Sequence, residues 1–292
     1  MAVGERDPHS GHMTTGHEWN GIKELNTPVP HAVWFFLIMT ALFSLGYWVL
    51  MPAWPVGKTY TRGLLGHDDK EIVNGKVEGA ELARSAWGQR IAAMDYGQIR
   101  ADDQLMMIVR EHGQRLFGDN CAACHGMDAK GVKSFPDLTD KDWLWGGAPD
   151  TIAQTIRVGV NSAQHPETRV SQMMAFGRDG ILDDDSVLAV ADYVKSLSDP
   201  AWAKGRTKMV AKGHTVFAEN CVVCHGPEGH GNQALGVPNL TDAAWLYGAD
   251  IGTIQDVIHE GRQGEMPAWE HRLSPVEVKL LTVYLLDKGE RR

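Results

Sequence analysis

The chain has 292 residues, of which 43% are hydrophobic and 22% charged, a composition typical of a globular protein of about two domains. Its formal net charge of −9 argues against nucleic-acid binding and favours a neutral or basic protein partner. Residues 1–51 hold two of the 28 basic and four of the 37 acidic residues, so residues 52–292 carry a formal charge of −7.

The chain begins with a polar tail, which we assign to residues 1–30. His9, His12 and His17 cluster there, where a metal site is conceivable. Polar segments at a chain terminus are usually solvated and poorly ordered. We therefore expect a mobile tail rather than a metal site.

A run without charged residues follows, from Ala32 to Met51. About twenty residues in a helix, at about 1.5 Å each, cross a hydrocarbon core of about 30 Å. Aromatic residues flank the run, as they do at membrane interfaces: Trp34, Tyr47, Trp48 and Trp54. The run is long for a signal peptide and lacks an Ala-x-Ala cleavage site. We predict an uncleaved transmembrane anchor over residues 31–54.

Two copies of a Cys-x-x-Cys-His motif lie in the rest of the chain, in NCAACHG at 120–126 and NCVVCHG at 220–226. The residues are Cys121, Cys124 and His125 in the first copy, and Cys221, Cys224 and His225 in the second. Cysteines three apart lie about one helical turn apart, so both thiols of a motif can share a face. All four cysteines of the chain belong to these motifs.

Three chemistries compete for such a motif. A disulfide oxidoreductase needs only the two cysteines, in a strand-then-helix context that this sequence does not supply. A zinc site needs four ligands, but the two motifs lie 100 residues apart in separate repeats. Covalent haem c uses every position, since each cysteine forms a thioether and the histidine ligates the iron. We therefore predict two covalently bound haem c groups, with His125 and His225 as axial ligands.

The motifs belong to an internal duplication. GQRLFGDNCAACHG from Gly113 aligns with GHTVFAENCVVCHG from Gly213, and PDLTDKDWLWGG from Pro136 aligns with PNLTDAAWLYGA from Pro238. TIAQTIRVG from Thr151 likewise matches TIQDVIHEG. We predict a linker over residues 55–100, a first domain over 101–198 and a second over 199–292.

Each unit shows helical spacing of apolar residues without a competing strand pattern, which predicts an all-α fold. Asp102 is a candidate cap for the first helix. Asp183 or Asp184 and Ser274 are candidate caps for the two closing helices, and Pro275 suits a first helical position.

Each unit resembles the class I cytochrome c domain. In that family a glycine and an aromatic residue on the first helix cross an aromatic residue on the last. The matching residues are Gly113, Phe117 and Tyr193 in the first unit, and Gly213, Phe217 and Tyr284 in the second. The resemblance also implies that the carbonyls of Pro136 and Pro238 accept the Nδ1 proton of the axial histidines. Aromatic side chains, read either as haem-pocket walls or as core, are Trp143, Trp145, Trp245 and Tyr247.

A second axial ligand completes an electron-transfer haem, and a thioether raises its reduction potential relative to imidazole. Met173 in MMAFG and Met266 in MPAWE occupy matching repeat positions, and the resemblance makes them the distal ligands. A lone methionine is usually core filler. Met174, at the position of Pro267, is the alternative to Met173, and a tandem arrangement also permits exchange of the methionines between the haems. The histidines that could ligate instead are His165, His230 and His259.

The segment GHEWNGIKELNTPVPHAVWFFLIMTALFSLGYWVLMPAWP, from Gly16 to Pro55, resembles the amino-terminal signature of the membrane-anchored dihaem cytochrome c subunit, subunit III, of cbb3-type cytochrome oxidases. With the repeats, the resemblance covers nearly the whole chain and departs at Met174, where the family usually has proline. It implies an electron-transfer subunit, not an enzyme by itself. Electrons would pass from a quinol-oxidising complex or a soluble or membrane cytochrome c toward a catalytic haem–copper subunit, beside a monohaem cytochrome c subunit.

Two other functions compete with this one. An anchored dihaem acceptor of a periplasmic dehydrogenase or another reductase shares the chemistry, but the match from Gly16 to Pro55 disfavours it. A membrane-tethered zinc or thiol module without haem would use the cysteines differently.

The orientation of the anchor follows from conflicting indications. Basic residues are more frequent after the anchor than before it, which would place the carboxyl side in the cytoplasm. Long domains translocate largely regardless of flanking charge, and haem c is assembled on the outer face of the bacterial inner membrane. We expect a single-pass inner-membrane protein with periplasmic cytochrome domains.

Overall fold

The computed structural model describes residues 5–291 of the chain. Two compact units divide the chain, one ending at Leu82 and one beginning at Ala83. Helices are the main regular structure of both units, and two short hairpins lie among the described residues.

The first unit contains the two hairpins and a long apolar helix. Strands β1 (Thr14–Trp19) and β2 (Ile22–Leu25) are antiparallel, and Asn20 and Gly21 between them both have positive φ, +50° and +85°. Asn-Gly is the preferred pair in such a two-residue turn. Strands β3 (Pro55–Val56) and β4 (Thr59–Tyr60) form the second hairpin. The expectation of an unstructured tail is therefore wrong for β1 and β2.

The tail histidines within residues 5–291 are not gathered into a three-ligand cluster. Across residues 5–291, no group of three or more His, Cys, Asp or Glu side chains is placed to hold a metal ion. His17 instead lies 3.4 Å from the carboxylate of Glu24, across the hairpin.

Helix α1 (His31–Leu50) coincides with the predicted anchor. It is 20 residues long, has a mean hydropathy of 2.0 over its most apolar window, and buries none of that window against the protein. A helix so apolar on all sides would be unstable in water, so its composition suits a lipid environment.

The predicted linker is largely helical. Helix α2 (Asp69–Ala93) is followed by α3 (Tyr96–Ala101), which begins with a capping box between Asp95 and Gln98. Ile91 and Ile99 are fully buried, so the end of α2 and α3 form part of the second unit's core. The side-chain amine of Lys279 donates to the carbonyls of Ile91 (3.1 Å) and Met94 (2.6 Å) at the end of α2.

The remaining helices follow the duplication. They are α4 (Asp103–Asn120), α5 (Ala122–His125), α6 (Pro149–Val158), α7 (Asp184–Ser198), α8 (Thr207–Asn220), α9 (Val222–His225), α10 (Ile251–Glu260) and α11 (Pro275–Glu290). A short 3₁₀ turn, Pro200–Ala203, joins the halves. The predicted caps Asp102 and Ser274 are confirmed, and Asp183 rather than Asp184 caps α7.

These helices form two hydrophobic cores, each with helices from a different stretch of the chain. We call them module A, built from α3 to α6 and α11, and module B, built from α7 to α10. Phe117 and Tyr284 are buried in module A, and Phe217 is buried in module B. The last helix of each repeat thus completes the module of the other repeat.

The predicted pairing of first and last helices is therefore wrong. The ring of Tyr284 lies 5.9 Å from that of Phe117, and a Cβ at Gly113 would come within 2.8 Å of Tyr284. The ring of Tyr193 lies 5.2 Å from that of Phe217. The sequence could not distinguish the two pairings because both repeats supply the same glycine and aromatic residues.

An ion pair strengthens the exchanged contact in module A. Asp287 on α11 is 7% exposed and receives bonds from Arg110 on α4, at 2.8 Å, and from Arg291, at 2.7 Å. A buried carboxylate is stable only when paired, so Asp287 depends on these cations.

We expect a double-mutant cycle to detect the exchange. Phe117→Leu and Tyr284→Leu should be coupled by about 0.5–1.5 kcal/mol in the free energy of unfolding, because the two rings are in contact. Phe117→Leu and Tyr193→Leu should add independently. Denaturant titration of the full chain measures both, and coupling to Tyr193 instead of Tyr284 would contradict the exchange.

Candidate cofactor sites

Each Cys-x-x-Cys-His motif forms a single helical turn after a longer helix. In module A, α4 ends at Asn120, and the amides of Cys124 and His125 donate to the carbonyl of Cys121 at 3.2 and 3.0 Å. Gly126, with φ +73°, ends the turn. Module B repeats the geometry after α8 with Cys221. Cys124 and Cys224 are exposed, and Cys121 and Cys221 are partly buried.

The histidine of each motif is fixed by a backbone carbonyl. Nδ1 of His125 donates to the carbonyl of Pro136 at 3.1 Å, and Nδ1 of His225 donates to that of Pro238 at 3.3 Å. A carbonyl only accepts, so Nδ1 carries the proton and Nε2 has a free lone pair. Both expected bonds are thus present, and each ring can offer Nε2 to a metal.

Burial keeps these imidazoles neutral. It lowers the pKa of His125 and His225, and the bond to the proline carbonyl offsets part of that effect. A neutral imidazole is the form that ligates a metal.

The first cysteine of each motif lies in an environment that disfavours the thiolate. Burial raises the pKa of Cys121 and Cys221 to about 11, whereas reactive thiols in disulfide exchange have lowered values. The two motifs also sit in different modules, so they do not pool their ligands into one zinc site. Two adjacent thiols and one oriented imidazole in each module fit a covalently attached haem c.

The two methionine segments cross between the modules. Met266 exchanges two backbone hydrogen bonds of 2.9 Å with Val160, which directly follows Gly159 after α6. Met173 exchanges bonds of 2.8 and 3.0 Å with Arg262, beyond the end of α10.

The residues three positions after each methionine form backbone hydrogen bonds to the other repeat in the same way. The amide of Trp269 donates to the carbonyl of Ile156 in α6, and that of Phe176 donates to Ile258 in α10. Met266 therefore lies in the module of His125, and Met173 lies in the module of His225. Of the two neighbours, Met173 packs against the core of module B, while Met174 is 53% exposed.

Comparison with known proteins identifies the family. Residues 11–58 match the family described as the N-terminal domain of cytochrome oxidase-cbb3, FixP. Residues 110–198 match cytochrome c, and residues 208–285 match cytochrome C oxidase, cbb3-type, subunit III.

Full-length relatives carry the same names. The cbb3-type cytochrome c oxidase subunit FixP of Bradyrhizobium diazoefficiens is 45% identical over 98% of this chain and 97% of its own. The subunit CcoP of an Azospirillum species is 42% identical over 99% of both chains, and that of Cereibacter sphaeroides is 38% identical over 94% of both. The chain belongs to the FixP/CcoP family. The resemblance seen from Gly16 to Pro55 and the prediction of two tandem cytochrome c domains are both confirmed.

Two glycines permit the crossing in this FixP/CcoP chain. Gly159 and Gly261 both have φ +68° and end α6 and α10. A Cβ on Gly159 would overlap the carbonyl oxygen of Met266, and one on Gly261 would lie 2.5 Å from that of Met173. Sequence reasoning missed both residues, although a glycine closes each of the matching segments TIRVG and VIHEG.

The three alternative histidines differ in which ring nitrogens have hydrogen-bond partners. His165 is 7% exposed, accepts the amide proton of Glu167 at Nδ1 (3.0 Å), and donates from Nε2 to Glu270 (2.7 Å). Both of its nitrogens are thus used. Nδ1 of His230 lies 3.3 Å from the hydroxyl of Thr241, and Nδ1 of His259 lies 2.8 Å from Glu260.

The aromatic residues divide into two kinds. Trp143 and Trp245 pack against the cores of modules A and B. Trp145 and Tyr247 instead lie under arginine side chains. The sequence left core packing and pocket lining equally open, and the structure separates the two pairs.

We expect Gly159→Ala and Gly261→Ala to destabilise the fold more than Gly180→Ala. All three glycines have positive φ, so each substitution stores backbone strain of about 1–3 kcal/mol. Gly180 has open space around it, whereas the other two meet a methionine carbonyl. Thermal and denaturant unfolding measure the difference, and equal costs at the three positions would argue against a close crossing.

Proposed function

We propose that this chain is the electron-transfer subunit of a cbb3-type cytochrome c oxidase that carries two haem c groups and does not itself reduce dioxygen. The observation that carries the proposal is the pair of Cys-x-x-Cys-His turns, each with its imidazole oriented by a proline carbonyl. Membership of the FixP/CcoP family supports the oxidase role and lends no support to an acceptor of a dehydrogenase.

Each module would hold one haem. Cys121 and Cys124 form the thioethers in module A, and Cys221 and Cys224 form them in module B. Bound haem supplies a one-electron couple between ferrous and ferric iron. Pro136 and Pro238 fix the axial imidazoles, and their acceptance of the Nδ1 proton raises the basicity of the ligand.

The distal ligands would be exchanged between the repeats. Met266 serves the haem of His125, and Met173 serves the haem of His225. The support is the pairing of Met266 with Val160 and of Met173 with Arg262, which holds each methionine in the module of the other repeat. A thioether ligand favours ferrous iron and closes the distal side to exogenous ligands.

Helix α1 and the net negative charge of the chain indicate its location in the cell and its partners. Helix α1 spans the inner membrane once, and both modules lie in the periplasm. The chain assembles with the catalytic haem–copper subunit and a monohaem cytochrome c subunit. Its acidic surface suits a basic soluble or membrane cytochrome c as the donor, since complementary charge speeds the encounter.

Mass spectrometry of the mature chain should detect two haem additions. Cys124→Ala together with Cys121→Ala should remove one addition, and the matched pair Cys224→Ala and Cys221→Ala should remove the other, because a haem without thioethers is lost on denaturation. A wild-type chain with one addition, or none, would disprove the cofactor assignment.

Ligand exchange predicts which haem responds to each methionine. Met266→Ala should lower the potential of the haem on Cys121 and Cys124 and open it to carbon monoxide, because the iron loses its thioether. Met173→Ala should do so for the other haem. Met174→Ala, at an exposed neighbour, serves as the control.

Redox titration and carbon monoxide binding, combined with the cysteine variants that remove one haem, assign each response. A response of the haem of the same repeat would reject the exchange. A response to Met174→Ala alone would reject Met173.

A further inference from the structure

Among the residues that the structure describes, Arg169 in module A has no anionic partner. Its guanidinium lies 4.8 Å from the ring centre of Trp145 and donates to the carbonyl of Thr151 (3.3 Å) and the amide oxygen of Gln154 (3.2 Å). Both acceptors are neutral. Among the buried side-chain nitrogen and oxygen atoms of residues 5–291, Nε of Arg169 lacks a hydrogen-bond partner.

Arg262 has the same position in module B. Each arginine precedes a methionine of the pair Met173 and Met266 by four residues. Arg262 lies 5.3 Å from the ring centre of Tyr247, the repeat equivalent of Trp145, and donates to the carbonyl of Gly261 at 2.7 Å. The two arginine–aromatic pairs are thus related by the duplication.

The crossing of the chain separates each arginine from its own methionine. Arg169 bonds to Gly159 and Asn161 through its backbone, beside Met266 in module A. Arg262 bonds to Met173 in module B. The crossover therefore occurs in the three residues between arginine and methionine, and each module retains one arginine.

The Arg169 side chain is half-buried, its hydrogen-bond acceptors are neutral, and its buried Nε has no acceptor, which is costly for a donor on a cation. Arginine presents its donors in a planar fork that matches a carboxylate. A haem c brings two carboxylates, its propionates, into each module. The stacked aromatic ring holds the guanidinium plane in one orientation, which favours a directed contact over a diffuse one.

We propose that Arg169 binds a propionate carboxylate of the haem attached at Cys121 and Cys124, and that Arg262 binds one of the haem attached at Cys221 and Cys224. This inference rests on the proposed function, because it requires haem in both modules. The cation neutralises the propionate and so helps to set the reduction potential of its own haem.

Redox-difference infrared spectroscopy tests the proposal on the full-length chain carrying haem labelled with ¹³C at the propionate carboxyl carbons. Arg169→Gln should shift the labelled carboxylate bands and lower the potential of the haem that responds to Met266→Ala. Arg262→Gln should do so for the haem that responds to Met173→Ala. Arg169→Lys keeps the positive charge but not the planar pair of guanidinium donors. It should therefore restore the reduction potential of the haem without restoring the wild-type carboxylate bands.

Matched controls remove an equal charge from arginines already paired with carboxylates. Arg157→Gln in module A breaks the ion pair between Arg157 and Glu270. Arg178→Gln near module B breaks the ion pairs of Arg178 with Asp179 and Glu260. Neither should move the labelled bands. Unchanged carboxylate bands in Arg169→Gln and Arg262→Gln, or equal shifts in the controls, would overturn the proposal. Two haem additions in the mass spectrum of the same chain would still support the proposed function.

Discussion

The architecture depends on the packing of Tyr284, on the last helix, against Gly113 on the first helix of module A. Glycine lets the two backbones approach closely, and the buried Asp287–Arg110 pair lies on the same helix contact. Because α11 comes from the far end of the chain, module A is closed by a segment that follows all of module B. Module A therefore cannot be excised as a continuous stretch of sequence, whereas the helices of module B, α7 to α10, are consecutive in the chain.

The same exchange gives each cofactor site parts from both repeats. In module A, His125 and Pro136 come from the first repeat, and the methionine segment at Met266 comes from the second. Backbone hydrogen bonds to Val160 and Arg262 join the two methionine segments to the ends of helices α6 and α10. Each methionine segment is thus held by the helix end of the other repeat.

Much of this site was predictable from the sequence, and the failures have physical causes. The Cys-x-x-Cys-His turns and the cap Ser274 were predicted because each depends on chemistry within a few residues, and the proline carbonyls were predicted from the resemblance to class I cytochrome c. Helix partners were not predictable, because the duplication makes Tyr193 and Tyr284 equally suitable for either first helix. The sequence places Arg169 and Arg262 at matching repeat positions, but the unpaired Nε of Arg169 is evident only in the folded chain.

Two local features were missed for different reasons. The Asn20–Gly21 pair is a strong turn signal, but its flanking residues are largely exposed, so no hydrophobic alternation identified the strands. Helix α2 has little apolar patterning until Ile91 reaches the core. Its end is held by Lys279, whose amine satisfies carbonyls that a helix terminus leaves open and suits the negative end of the helix dipole.

The exchange of α11 also has a consequence in time. Ribosomes add about 5–20 residues per second, and about 150 residues separate Cys124 from the start of α11, so the closing helix is synthesised roughly 8–30 s after the first motif. During that interval the core of module A, against which Cys121 packs, lacks one wall. The second motif waits only for α10, because α7, which closes module B, precedes it in the chain. Order of synthesis alone therefore leaves the core around the first motif incomplete for longer than the core around the second.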